Sequence, residues 1–164
     1  MMTKNKARFT KNAKTKTVTV TKEIDAAVEQ VWEAWTNAAQ LDKWWGPKPW
    51  KAVTKKMDFR EGGSWVYKMQ GPNGEEQWDK IEFTSIDAPR QFNATDLFTD
   101  EKGNKNAAMP STHWKNSFTK TSNGTRINVE LIFGTKEDMD KILKTGFEEG
   151  FSKGLEQLDE LLTH

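Results

Sequence analysis

TKEDMDKILKTGFEEGFSKGLEQLDELLTH, residues 135–164, is the stretch on which the fold turns. Apolar or small residues stand at Met139, Ile142, Leu143, Gly146, Phe147, Gly150, Phe151, Gly154, Leu155, Leu158, Leu161 and Leu162. Steps of three and one, repeated almost without a break, place them on one face of an α-helix. At 1.5 Å per residue, a helix over 136–162 spans roughly 40 Å, long enough to cross a whole sheet. Gly146, Gly150 and Gly154 occupy the centre of that face. Each glycine costs about 1 kcal/mol relative to alanine in a helix interior. Their missing side chains must therefore serve either close packing or open space. We read a long helix lying across a sheet, with a cavity beneath it.

The segments upstream supply the sheet. Thr125 to Phe133 alternates, with Ile127, Val129, Leu131 and Phe133 against Arg126, Asn128 and Glu130. That period of two marks a half-buried strand whose apolar face meets the helix. Thr17 to Ile24 alternates in the same way. Between them, strands are expected over Val53–Phe59, Ser64–Gln70, Gln77–Ile86 with a bulge near Thr84, Gln91–Phe98 and Ser111–Lys120. Turn signals separate them at Glu61-Gly62-Gly63, Gly71-Pro72-Asn73-Gly74, Asp87-Ala88-Pro89-Arg90 and Asn123-Gly124. Two short helices follow the first strand. Asp25 is expected to cap one carrying Val28, Val31, Trp32 and Trp35, and Asn37 another carrying Leu41, Trp44 and Trp45. Gly46-Pro47 stops the second. Thr135 begins the final helix, with Asp138 three residues on in a capping-box spacing. Short turns make the neighbouring strands antiparallel.

Composition narrows the function classes. The chain has 164 residues, enough for one domain with a real core. A formal net charge of +1 gives no bulk electrostatic case for nucleic acid or an acidic surface. There is no cysteine, so disulfides and thiolate chemistry are excluded and a reducing, cytoplasmic setting is expected. No apolar run approaches a membrane span, and no apolar segment follows the N-terminal lysines as in a secretory signal. Residues 1–15 carry Lys4, Lys6, Arg8, Lys11 and Lys14 without an acid. They read as a flexible basic tail, leaving residues 16–164 as the domain.

Several strings in this order resemble the START-like (SRPBCC) superfamily, and more narrowly the heat-shock protein 90 ATPase activator homologue family. They are Val31-Trp32-Glu33-Ala34-Trp35, Leu41-Asp42-Lys43-Trp44-Trp45-Gly46-Pro47 and Phe59-Arg60-Glu61-Gly62-Gly63-Ser64-Trp65. Further along come Gly71-Pro72-Asn73-Gly74-Glu75, Ile86-Asp87-Ala88-Pro89-Arg90 and Gly146-Phe147-Glu148-Glu149-Gly150-Phe151. The likeness covers residues 16–162. It implies an α+β helix-grip fold: a curved antiparallel sheet of about seven strands, two short helices after the first strand, and a long C-terminal helix closing an apolar cavity. Eukaryotic co-chaperone members pair this domain with an N-terminal one, and this chain is expected to hold the single domain. Many stand-alone members are presumed small-molecule binders, and a few relatives in the superfamily are cyclases. The resemblance brings no shared catalytic motif.

Eight tryptophans, nine phenylalanines and one tyrosine are many for this length. They serve a bulky core, a ligand cavity, or both, since small-molecule sites are mostly apolar with few polar groups. We assign Trp44, Trp65, Tyr67, Trp78, Trp114, Phe147, Gly150 and Phe151 to the cavity wall. The polar candidates are fewer. Asp79 shares the parity of Ile81 and Phe83, and Asp96 that of Phe92, Ala94 and Phe98. His113 and Trp114 are neighbours, so only one points inward. A carboxyl facing the cavity would have a raised pKa suited to acid–base work or ligand bonding. The competing reading, favoured at this level, is that the alternation slips and these groups reach solvent.

Two histidines and no thiols cannot assemble a usual metal site, and neither metal nor cofactor is expected. No Gly-rich phosphate loop is present, and no catalytic residue is assigned. The leading function is non-enzymatic binding of a small apolar or aromatic molecule. The second is a protein-interaction module related to the chaperone activators, with Trp44, Trp45 and Trp50 as its exposed surface. The third is an enzyme of cyclase or hydratase type using one buried acid or His113.

Overall fold

The alternation read in the sequence becomes burial. In a computed structural model describing residues 6–163, the strand Thr17–Ile24 buries every second residue, Val18, Val20, Lys22 and Ile24. In chain order the elements are β1 Arg8–Asn12, β2 Thr17–Ile24, α1 Val28–Thr36, α2 Ala38–Trp44, β3 Lys51–Met57, β4 Ser64–Gln70, β5 Glu76–Asp87, β6 Gln91–Thr99, β7 Thr112–Lys120, β8 Thr125–Ile132, α3 Lys136–Leu143 and α4 Phe147–Thr163. The strands form a single antiparallel sheet in the order β1-β2-β8-β7-β6-β5-β4-β3. Only β2 and β8 join across a long stretch of chain. That pairing brings both ends of the domain together near the β1 edge of the sheet.

The expected parity holds in β8: Ile127, Val129 and Leu131 are buried, as is Phe133 beyond its end, while Arg126 is exposed and Asn128 and Glu130 are half-exposed. The bulge near Thr84 is present as a register shift between Phe83 and Ser85. Asn37 caps α2, its side chain accepting from the Gln40 N–H at 3.2 Å. Thr135 caps α3 in the same way, accepting from the Asp138 N–H at 3.0 Å. Asp25 is not the cap of α1. Ala27 holds that position, and the Gln30 side chain turns back to accept from its N–H.

Two expectations about the chain ends are corrected. The residues read as a flexible tail, 1–15, include β1, which pairs with β2 from Arg8↔Thr21 to Asn12↔Thr17. Phe9 anchors it, with its ring 6.5 Å from both Phe147 and Phe151. One half-buried phenylalanine and a row of backbone hydrogen bonds thus outweigh the like charges. The sheet has eight strands rather than about seven, and the domain begins before residue 16. Residues 1–5 lie outside the described residues.

The final helix is not continuous over 136–162. Gly146 has φ of 86°, a left-handed conformation that ends the helical path after α3. The 17 residues of α4 then cross the sheet, roughly 26 Å long. Buried Phe151, Gly154, Leu155 and Leu158 form its inner face, packed on α1, α2 and β2. Lys22 shares the inward parity of β2. Its fully buried ammonium meets Asp159 Oδ2 of α4 at 2.8 Å, a pairing no periodicity announces.

Candidate functional site

Five elements and one loop enclose a cleft of about 210 Å³ between α4 and the concave face of the sheet. Its wall is Trp45 and Pro47 after α2, Tyr67 and Met69 of β4, Gln77 and Asp79 of β5, Asp96 and Phe98 of β6, Trp114 of β7, and Phe147, Gly150 and Phe151 of α4. Behind it lies a gap of about 20 Å³ among Trp35, Trp65, Phe83, Phe92 and Asn116. The rest of the interior is filled by rings. Trp35 alone packs against Trp44, Trp45, Phe92, Phe118 and Phe151 at 5.1–6.4 Å. The aromatic excess therefore serves both purposes read in the sequence, core first and cleft second.

Of the residues assigned to the wall, Tyr67, Trp114, Phe147, Gly150 and Phe151 line the cleft. Trp65 stands one layer deeper. It stacks on Tyr67 at 4.1 Å and donates through Nε1 to Thr54 Oγ1 at 3.0 Å. Trp44 and Trp78 do not line it. Trp44 is fully buried beneath Trp35, with Nε1 donating to Ala34 O at 2.8 Å. Trp78 faces the other side of β5, where the ammonium groups of Lys55 and Lys68 lie 5.6 and 5.7 Å from its ring. Parity could have excluded it, because Asp79, next in sequence, points inward. Trp45 was missed as a wall residue. Neighbouring tryptophans at a helix end diverge, and only the docking of α2 on β3 decides which one enters the core. Gly46 permits that docking, since a Cβ there would stand 2.5 Å from the Ala52 nitrogen.

The polar groups converge through register. Tyr67 stands directly opposite Asp79 on β4 and β5. Asp79 pairs with Phe98 and Ile81 with Asp96, so the two aspartates are diagonal neighbours on one face. The expectation that they reach solvent is overturned for Asp79, which is 5% exposed. Asp96 is half-buried with its Oδ1 sealed from water. Trp45 Nε1 donates to Tyr67 Oη at 2.9 Å, and Tyr67 Oη donates to Asp79 Oδ2 at 2.9 Å. His113 points away and meets Thr95 Oγ1 at 3.0 Å.

Burial is the main reason the Asp79 carboxyl is pushed well above the usual carboxylate range. The adjacent Asp96 charge and the hydrogen bond between the two carboxyls add to it, and the Tyr67 hydroxyl opposes it. Burial also raises Asp96, while its bond to Asp79 pulls the other way. Burial first, then both aspartate charges, pushes the Tyr67 phenol well above its ordinary value, so it stays a donor. Asp79 Oδ1, Asp96 Oδ1 and Trp114 Nε1 are left without hydrogen-bond partners.

A larger hollow of about 810 Å³ lies at the opposite end, among Ala27, Glu29, Arg90, Ser117 and Lys120. Among the described residues it holds no buried side chain lacking a partner. Among the described residues no group of three or more His, Asp or Glu lies close enough to hold a metal ion.

The family model for Activator of Hsp90 ATPase homolog 1-like protein matches residues 25–163. The chain belongs to this family. Solved relatives agree along nearly its whole length. Protein Ms6760 from Mycobacterium smegmatis is 34% identical with a TM-score of 0.88, the match covering 94% of this chain and 95% of that one. A protein from Arthrobacter aurescens, solved by NMR, is 33% identical with a TM-score of 0.90 over 95% and 91% of the two chains. Protein NE0264 from Nitrosomonas europaea is 26% identical with a TM-score of 0.79 over 90% and 94%. No curated protein matches the sequence. The helix-grip, START-like fold of this Activator of Hsp90 ATPase homolog 1-like chain is thus the fold that the sequence strings implied.

Proposed function

We propose that this protein binds a small, largely apolar molecule in the cleft between α4 and the sheet, without transforming it. The observation that carries this reading is the cleft itself, about 210 Å³ walled by aromatic rings with a few convergent polar atoms. Small-molecule sites have this make-up. Its size selects the ligand, since an apolar cavity of about 150 Å³ accepts benzene. A single ring or two fused rings fit; a sterol or a long acyl chain does not. The absence of cysteine accords with a cytoplasmic setting, and no helix among the described residues is long and apolar enough to cross a membrane.

Nuclear magnetic resonance tests it. Toluene and indole, titrated into isotope-labelled protein, should shift the indole N–H signals of Trp45 and Trp114 and the amides of Tyr67 and Phe151. Gly150→Leu, which fills the cleft from α4, should abolish the shifts. Shifts confined to other surfaces, or none, would reject the reading.

Two alternatives differ in support. Turnover would use the Asp79–Asp96 pair, whose raised carboxyls are suited to an acid–base step. A chaperone partnership rests on the family's name. Of the tryptophans assigned to that surface, Trp44 is in the core, Trp45 lines the cleft and Trp50 is half-exposed. ATP turnover by heat-shock protein 90 at saturating protein tests that partnership directly.

A further inference from the structure

The cleft has a charge pattern that its apolar walls obscure. Its two ionisable acids, Asp79 and Asp96, have no basic partner among the described residues. Lys, Arg and His are missing from the wall, which α4 and the α2–β3 connection complete with uncharged groups alone. Asp79 is 5% exposed and its Oδ1 has no hydrogen-bond partner. Trp114, 6% exposed, leaves its Nε1 unpaired on the same wall. Around the acids stand the rings of Trp45, Tyr67, Trp114 and Phe151. Aromatic faces attract cations through their quadrupole, most strongly where water is excluded. Two carboxyls with an aromatic surround and no countercharge form a site for a positive group.

We propose that the cleft selects an organic cation: a protonated amine carried on a single ring or short chain. The inference rests on the reading of the cleft as a ligand site and names the ligand's class. The ammonium would lie between Asp79 and Asp96, and its apolar body against Phe147 and Phe151. The Tyr67 hydroxyl, held as donor by Trp45, keeps Asp79 oriented. An arriving cation favours the charged form of both carboxyls, which burial otherwise disfavours, so binding releases a proton to solvent. A neutral ligand of the same shape releases none. The titratable groups facing the site are Asp79, Asp96 and Tyr67.

Phenethylamine and phenethyl alcohol, of equal size and differing in charge, make the test. Both are titrated calorimetrically into the full chain at neutral pH, in phosphate and in Tris, whose heats of ionisation differ. The amine should bind at least about tenfold more tightly than the alcohol, with a heat that changes with buffer as a proton is released. Asp96→Asn, near in shape, should lose the preference and the buffer dependence. Its indole N–H spectrum reports whether it folds, and the wild-type comparison needs no variant. Equal binding of amine and alcohol, independent of buffer, would overturn the cation and leave the apolar cleft standing. So would binding of neither while indole still shifts the cleft signals. Failure of indole and toluene as well would remove the cleft reading itself.

Discussion

The Tyr67 hydroxyl donates to Asp79 Oδ2 at 2.9 Å while accepting from Trp45 Nε1 at the same distance. A buried carboxyl, a phenol and an indole are thereby joined in one chain across β4, β5 and the end of α2. Tyr67→Phe removes the middle link and strands both outer groups. Leaving buried polar atoms unpaired costs about 1–3 kcal/mol. Urea denaturation should show a loss in that range, and a loss below half of its lower bound would mean that the chain of bonds contributes little.

The aspartate pair makes stability depend on pH. Both carboxyls are raised in the folded protein, so the folded state binds more protons than the unfolded one above the ordinary carboxyl pKa of about 4. Stability from this source is complete below that value and is lost as pH rises through the folded values. Asp96→Asn removes one carboxyl and relieves the other. The variant should therefore gain on the wild type as pH rises from about 4. Melting temperatures measured across that range check this; a gap that stays constant would refute the pairing.

The three glycines should respond differently to alanine. Gly146, at φ of 86°, has open space but a backbone that alanine resists, at a cost of about 1–2 kcal/mol. At Gly150 a Cβ would meet only Pro47 Cγ at 3.7 Å, so Gly150→Ala should gain about 0.4–1 kcal/mol while narrowing the cleft. At Gly154 it would touch the Trp44 and Trp45 carbonyl oxygens at 3.4 and 3.6 Å. Gly154→Ala should fall between the others. Denaturation midpoints in any other order would show that the helix sits differently on α2.

Removing residues 1–12 should destabilise the protein, because β1 leaves with Phe9. Half-burial of that ring is worth roughly 1–2 kcal/mol, and its loss also bares the edge of β2 to other chains. A truncated protein that melts with the wild type and keeps the wild-type size in light scattering would return these residues to the status of a tail.

Much of the site was legible as parity. Trp65, Tyr67, Asp79, Asp96 and Trp114 point where period-two alternation places them, because a strand turns successive side chains to opposite faces. Parity does not tell how far a side chain lies from the sheet's edge. It therefore left open whether Asp79 and Asp96 reach water.

The sequence by itself determined much of the local structure: the order of elements from β2 to β8, the β5 bulge, the caps at Asn37 and Thr135, and the inward row of β8. Each depends on backbone sterics and hydrophobic period within a few residues. Tertiary structure decided the rest. It took α4 packed on β2 to give Lys22 a partner in Asp159, and the docking of α2 to send Trp44 into the core and Trp45 to the cleft. The β5–β6 register set two aspartates side by side. Distances between groups remote in sequence depend on how faces pack, and no period within a single element encodes them.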